Sequence, residues 1–299
     1  MSSTSRDERC LLAVPKKGRL HERCMKLLQG CGLECERAER LDIAHCDNIP
    51  ITLVFLPAAD IPKFVGEGNV DIGITGQDVI REESVDVTQL LELGFGKCQL
   101  AVQAPKGQYA SAADLIGKKI VTSFPNLTAQ FFKELAASKG RTEDTTVVAV
   151  GGSVEVSCTM GLGDAVVDLV ETGATMDAAG LEKLDVILRT QCVLIANKSC
   201  GHPAIVDRLK KRMQGFLDAQ QYSMVSYNVH AANKAAAIAI TPGRRSPNVT
   251  NLEEEGWFAI SAMVKKSELM DVMDRLADCG AIDILAFDIR SCRGSAQSQ

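Results

Sequence analysis

The sequence predicts an α/β protein: two α/β lobes around a cleft, followed by a small domain of different pattern. Three observations carry this. From residue 10 to about residue 200, short apolar runs alternate with stretches of helical period, the mark of βαβ units and parallel strands. The apolar runs end in "PKKGRL", "TGQD", "TSFPNLT", "GGSVE" and "DLVETGAT", all rich in Gly, Ser, Thr or charge. Ligands of such sheets bind at the carboxyl ends of the strands. Beyond about residue 205 the order becomes β-α-β-β-α-β, which predicts a ferredoxin-like sandwich.

Taken in order, "CLLAVP" (10–15) predicts a strand. "RLHERCMKLLQGCG" places Leu20, Cys24, Leu27 and Leu28 on one helical face and stops at a glycine. "ITLVFLP" (51–57) predicts a strand and "AADIPKFVGEG" a short helix with Pro62 in its first turn. "VDIGITG" (70–76), "CQLAVQAP" (98–105) and "KKIVTSFP" (118–125) predict strands, the last followed by the helix "LTAQFFKELAASKG". Then come a strand in "TTVVAVGG" (145–152), a helix through "SVEVSCTMGLG", the strand "AVVDLV" (165–170), and one or two strands in "LDVILRTQCVLIANK" (184–198). "PAIVDRLKKRMQGFLDAQ" predicts an amphipathic linking helix. The final domain reads as strand "YSMVSYNV", helix "HAANKAAAIA", loop or hairpin "GRRSPNVTNLEEEG", strand "WFAISAMV", helix "KSELMDVMDRLADCG" and strand "AIDILAFDI".

The bulk numbers agree with a soluble globular chain of two or three domains: 299 residues, 46% hydrophobic and 24% charged. A net charge of −5 with no basic tract argues against a nucleic-acid partner. The polar start "MSSTSRDERC" shows no signal peptide, and no run of about 20 apolar residues is present, so a cytoplasmic protein without membrane contact is expected. The 11 cysteines are scattered without a C-x-x-C pair and read as free, mostly buried thiols. No metal-ligand spacing stands out.

The richest chemistry lies in "VVDLVETGATMDAAG" (166–180). A strand-to-helix turn points backbone N–H groups outward and suits an anion. Gly173 and Ala174 allow close approach, Thr172 and Thr175 add hydroxyls, and Asp168 is placed to accept from sugar hydroxyls. The same residues alone also read as an ordinary capped helix start. An acid followed by T-G-x-T after an apolar run resembles the loop with which phosphoribosyltransferases hold phosphoribosyl pyrophosphate. Val167 stands where that loop usually has the first of two acids.

Together and in this order, "PKKGRL" (15–20), "DIGITGQD" (71–78), "TSFPNLT" (122–128), "GGSVEVS" (151–157) and "DLVETGAT" (168–175) resemble the ATP phosphoribosyltransferase family over nearly the whole chain. "AITPGRRSP" (239–247) and "AIDILAFDIRSC" (281–292) resemble the regulatory domain of its long form. The resemblance implies a two-lobed, type II periplasmic-binding-protein-like catalytic core plus an ACT-like C-terminal domain. It implies a first lobe of residues 1–97 with 188–208, a second of 98–187 carrying the phosphoribosyl-phosphate loop, and a regulatory domain over 213–294.

The resemblance further implies transfer of a phosphoribosyl group to N1 of ATP with release of pyrophosphate, magnesium accompanying the substrates. It implies inhibition by histidine and a homo-oligomer, from dimer to hexamer. It would place Glu171, Thr172, Gly173, Ala174 and Thr175 around the 5′-phosphate, and Asp168 and Glu155 at the ribose hydroxyls. Lys17 and Arg19 would act as catalytic cations facing the phosphates, although the sequence does not say which of Lys16 and Lys17 points inward. Thr75 and Gly76 would meet the pyrophosphate, and Ser123, Asn126 and Leu127 the adenine. Thr241, with Asn228 and Ala237, would contact histidine. No residue is assigned as a metal ligand. Many members carry an arginine where this chain has Leu56, Pro57 and Ala58; Arg37 or Arg40 would supply that charge.

Two other classes of function compete with this reading. A non-catalytic carrier of a phosphorylated ligand would use the same two-lobed core. A DNA-binding regulator would need a helix-turn-helix with a basic face, which no segment supplies.

Overall fold

Leu12, Ala13 and Val14 are fully buried in β1 (Cys10–Pro15), flanked on both sides by parallel partners. This is why the segment reads as a continuous apolar run rather than an alternating one. The computed structural model describes residues 9–35 and 41–293. The chain forms two units: one of the residues up to Met25 with Glu34–Val206, the other of Lys26–Leu33 with the residues from Asp207 on.

The first unit contains two sheets. In the first the order is β2 (Ile43–His45), β3 (Ile51–Leu56), β1, β4 (Ile72–Gly76), β11 (Cys192–Ala196), β5 (Thr88–Glu92). In the second it is β10 (Leu181–Thr190), β6 (Cys98–Pro105), β9 (Ala165–Val170), β7 (Lys119–Thr122), β8 (Thr146–Ala149). The sheets are mixed, which corrects the expectation of parallel ones. β3 and β4 run parallel to β1, and β8 and β9 parallel to β7, whereas β2, β5, β6, β10 and β11 all pair antiparallel. The cause is the double crossing of the chain. β6 enters the second sheet and β11 re-enters the first from the opposite edge. Each lands beside the third parallel strand, with one further strand outside it. Setting β2 aside, both lobes share this order, the type II periplasmic-binding-protein-like arrangement.

All five polar motifs leave the carboxyl ends of strands in the parallel sets. Lys16–Gly18 follow β1, Gln77–Asp78 follow β4, and the remaining three follow β7, β8 and β9.

The helices follow the periodicity. α1 (Arg19–Gly30) buries Cys24, Leu27 and Leu28. α2 (Ile61–Gly66) opens with Pro62 and lies tight on β4, where a β-carbon on Gly73 would stand 2.6 Å from Ile61 Cγ2. α3 (Gln77–Glu82) and α4 (Pro125–Ser138) follow β4 and β7. α5 (Ala174–Ala178) follows β9. The helix expected through "SVEVSCTMGLG" is a single 3₁₀ turn, Val154–Val156. Ser153 enters it at φ 51°, and the residues after it continue as turns up to Gly161 at φ 70°.

One cysteine expectation also changes. Nine of the described cysteines are free, but Cys35 and Cys46 form a disulfide. An isolated antiparallel bridge sets their Cα atoms 4.1 Å apart, a pairing that no local spacing announces.

The second unit begins within α6 (Pro203–Gln221). It continues as β12 (Tyr222–His230), α7 (Lys234–Ile240), β13 (Asn248–Asn251), β14 (Trp257–Lys265), α8 (Leu269–Asp278) and β15 (Ile282–Asp288). The sheet order β13-β14-β12-β15 is antiparallel throughout, the ferredoxin-like sandwich that the element order predicts. Val225, Tyr227 and Val229 alternate on β12 and pack with Ile260, Val272 and Leu276. Among the described residues no helix is long and apolar enough to cross a membrane.

Candidate active site

The second lobe supplies the loop expected to hold an anion. β9 ends at Val170, and Glu171–Gly173 turn the chain into α5. Gly173 sits at φ 85°, a left-handed conformation that glycine adopts without steric cost. Thr172 Oγ1 accepts a long 3.5 Å bond from the Ala174 amide, and Thr172, Ala174 and Thr175 are exposed. Asp168 sits two residues inside the strand, half-buried. Its Oδ1 accepts the Leu169 amide at 2.8 Å. Burial raises the Asp168 carboxyl above its ordinary value. The Leu169 N–H pulls it back, and the negative charge of Glu155 raises it again. Glu155, on the 3₁₀ turn, is therefore within electrostatic reach of Asp168.

The first lobe supplies cations. Lys16 Nζ is 2.6 Å from Asp42, while Lys17 is exposed with no ion-pair partner among the described residues. Arg19 is the first residue of α1. Arg37 and Arg40 lie outside the described residues. Thr75 is fully buried and its hydroxyl donates to the Ala58 carbonyl at 3.3 Å. Gly76 precedes α3, where a β-carbon would collide with the Asp78 carboxylate.

Two features join these halves. Arg23, on α1 of the first lobe, places a guanidinium nitrogen 3.4 Å from Glu171 at the head of the second lobe's loop. Between the lobes lies a cavity of about 300 Å³ lined by Gln77, Lys97, Cys98, Arg189, Thr190 and Glu171, among others. Sequence reasoning missed Arg23, Lys97 and Arg189. The last two flank the two lobe crossings, which was the available signal. Burial, together with the charges of Asp78, Glu171 and Asp168, pushes the Cys98 thiol up to about 12. Those three carboxylates are thus within electrostatic reach of Cys98, which stays a neutral thiol rather than a nucleophile.

The stretch Ser123–Leu127 is less open than expected. Ser123 is exposed, but the Asn126 and Leu127 amides donate to Glu82 Oε1 and Oε2 at 2.8 and 3.0 Å. Beside them, the buried Asp78 carboxyl accepts from Thr190 Oγ1 at 2.7 Å. Its pKa is raised by burial, against the lowering by Thr190 and by the Asp78 and Val79 amides. A carboxyl whose pKa is higher folded than unfolded favours folding below the unfolded value, about 4. That advantage is lost as the pH climbs through the raised folded value. Asp78→Asn is accordingly expected to flatten the fall of Tm with rising pH above about pH 4. Calorimetry across that window checks it, and an unchanged slope would refute it.

Residues 57–215 match the family described as ATP phosphoribosyltransferase, and residues 219–291 match its C-terminal domain. The chain is 48% identical over 288 residues to the ATP phosphoribosyltransferase of Yarrowia lipolytica, covering 96% of this chain and 97% of the relative. It is 49% identical over 294 residues to that of Candida albicans, with the same coverage.

The chain belongs to the ATP phosphoribosyltransferase family.

Among solved structures, the ATP phosphoribosyl transferase (HisG:HisZ) complex from Thermotoga maritima matches with a TM-score of 0.58 at 27% identity, covering 69% of this chain and 98% of that one. The family's reaction is therefore this chain's: the phosphoribosyl group of phosphoribosyl pyrophosphate passes to N1 of ATP, releasing pyrophosphate, as the first step of histidine biosynthesis. The chain is of the long form, with the C-terminal domain present.

In that ATP phosphoribosyltransferase C-terminal domain, Thr241 is buried. Its hydroxyl lies 2.7 Å from the Tyr227 hydroxyl and donates to the Ala237 carbonyl at 3.1 Å. Thr241 and Ala237 are thus joined directly across the last turn of α7, and the Tyr227 hydroxyl donates to the same Ala237 carbonyl at 3.1 Å. Asn228, the next residue on β12, turns to the other face and donates to Asp283 at 3.0 Å. A cavity of about 620 Å³ beside Thr241 is lined by Tyr222, Arg244, Lys265 and Glu268, among others.

Proposed function

We propose that transfer takes place in the cleft of the first unit. The observation that supports this is the Arg23–Glu171 contact between the lobes, beside a cavity to which Gln77 of the first lobe and Glu171 of the second both contribute. Its volume is at the lower end for small-molecule sites, so the rest of both substrates lies along the exposed loops.

In this reading Glu171–Thr175 cradle the 5′-phosphate through backbone N–H groups and threonine hydroxyls. Asp168 and Glu155 accept from the ribose hydroxyls. Lys17 and Arg19 face the phosphates, with Lys97 and Arg189 adding positive charge at the hinge. Thr75 and Gly76 shape the wall near the pyrophosphate, and Ser123–Leu127 the adenine side. The transition state resembles an oxocarbenium ion with a departing anion and inverts C1, so no protein nucleophile is required. Catalysis is orientation of two substrates plus stabilisation of separating charges. Magnesium arrives with the phosphorylated substrates, held mainly by their oxygens and water.

We also propose that histidine binds the C-terminal domain near Thr241 and inhibits. The Thr241 hydroxyl is already committed, so Arg244 in the same cavity is the cation for the ligand's carboxylate. The protein is proposed to be a cytoplasmic homo-oligomer, divided into lobes 1–97 with 188–208 and 98–187 and a regulatory domain over 213–294, except that β10 keeps residues 188–190 in the second sheet, so the return to the first lobe falls after Thr190.

The test is pyrophosphate release with ATP, phosphoribosyl pyrophosphate and magnesium, with and without histidine. Release is expected to need both substrates and to fall with histidine. Arg244→Ala is expected to weaken that inhibition by about tenfold, the worth of one charge-assisted hydrogen bond. Histidine-indifferent release would remove the regulatory assignment, and an unchanged inhibition constant in Arg244→Ala would remove this placement of the ligand.

A further inference from the structure

The first four N–H groups of a helix need partners from outside it, and a carboxylate is a favourable one. α4 is the longest helix of the second lobe, yet its own N-cap, Phe124, makes no side-chain cap bond, and Pro125 has no N–H. The next two amides, Asn126 and Leu127, are capped from the other lobe. The Glu82 carboxylate takes one on each oxygen, and the Glu82 carbonyl accepts Asn126 Nδ2 at 3.0 Å.

Asp78 stands one helical turn earlier on the same short helix. It is joined reciprocally to Thr190 of the second sheet: Thr190 Oγ1 donates to Asp78 Oδ1 and accepts the Asp78 amide at 3.0 Å. Asp78 and Glu82 are 5% and 6% exposed, so these bonds are shielded from water. Swinging the lobes apart would uncap α4 and strand two buried carboxylates at once.

We propose that α3 is a clasp that holds the interlobe angle constant through the reaction, with Glu82 as a positioning residue. Two-lobed ligand carriers open and shut; here substrates enter past the strand-end loops while the lobes stay in register. That register matters because the proposed donor loop, Glu171–Thr175, and the proposed cations, Lys17 and Arg19, belong to different lobes. The inference rests on the cleft assignment above for its catalytic consequence, but not for the clasp itself.

The full-length protein serves for the test. In the wild type, amide exchange of the segment 125–128 is expected to be slow and unchanged by phosphoribosyl pyrophosphate with magnesium. In Glu82→Ala that protection is expected to vanish, and kcat per folded enzyme to fall by about 10–100-fold, the effect of a misplacement near 1 Å. Glu82→Gln, which keeps one acceptor oxygen, is expected to fall between the two. A wild-type segment whose protection changes with substrate would overturn the fixed angle. A folded Glu82→Ala of wild-type kcat, its 125–128 amides exposed, would overturn the positioning role and leave the cleft assignment standing. If Glu82→Ala does not fold, Thr190→Val breaks the other half of the clasp, with the same expected loss of kcat and the same overturning result.

Discussion

Replacing Gly173 with valine is expected to lower kcat/KM for phosphoribosyl pyrophosphate by about a thousandfold, a loss near 4 kcal/mol in transition-state stabilisation. At φ 85° the backbone lies where an L-residue is strained and a β-branched one is an outlier. Space is not the obstacle, because a β-carbon there would meet only Met176 and Asp177, at 3.7 and 3.9 Å. The chain must therefore flip the turn to relieve the strain, and the amides of Thr172–Thr175 no longer converge. The turn is exposed and α5 buries none of its residues, so Tm should move little. Gly173→Ala, with an expected cost of about 1–2 kcal/mol, should give a loss of about tenfold. Steady-state kinetics with each substrate varied, beside thermal unfolding, check this. A valine variant with wild-type KM for phosphoribosyl pyrophosphate would show that this turn does not hold the phosphate.

Asp168→Asn is expected to lower kcat by about a hundredfold with a smaller change in KM. The carboxylate is proposed to accept from the ribose hydroxyls, an interaction that strengthens as positive charge develops on the ring in the transition state. Asparagine keeps the acceptor for the Leu169 amide, so the local turn survives. Because burial and Glu155 raise the carboxyl, it gains its proton at a higher pH than an exposed aspartate. Activity of the wild type should therefore fall as the pH drops through that raised value, and the asparagine variant should lack that limb of the profile. A variant within about threefold of wild-type kcat, or one retaining the acid limb, would remove Asp168 from the reaction.

Much of this architecture is legible in the sequence for a physical reason. Leu20, Cys24, Leu27 and Leu28 repeat with helical period, and α1 buries the last three. Val225, Tyr227 and Val229 repeat with strand period, and β12 buries all of them. What cannot be read is strand direction. β6 and β11 are as apolar as β1 and β4, and only the crossings make them antiparallel. The site divides in the same way. The loop 171–175 is contiguous and carries its own signature. Arg23 meets Glu171 across 148 positions of sequence, and Glu82 meets Asn126 across 44. Residue type alone also does not announce the partners of the Thr75 and Thr241 hydroxyls, which are Ala58, Tyr227 and Ala237.

The order of strands in the first sheet also bears on synthesis. β5 pairs only with β11, so the segment Thr88–Glu92 emerges from the ribosome about a hundred residues before its partner, some 5–20 seconds at ordinary elongation rates. During that interval one side of β4 also lies bare. The second sheet waits less, since β6 gains its first partner, β9, about sixty residues later and all its strands lie between Cys98 and Thr190. It can close first, and the first sheet is then sealed by β11 as a late event. The nascent chain thus carries an open strand edge, the kind that invites pairing with another chain, until Cys192–Ala196 arrive to cover it.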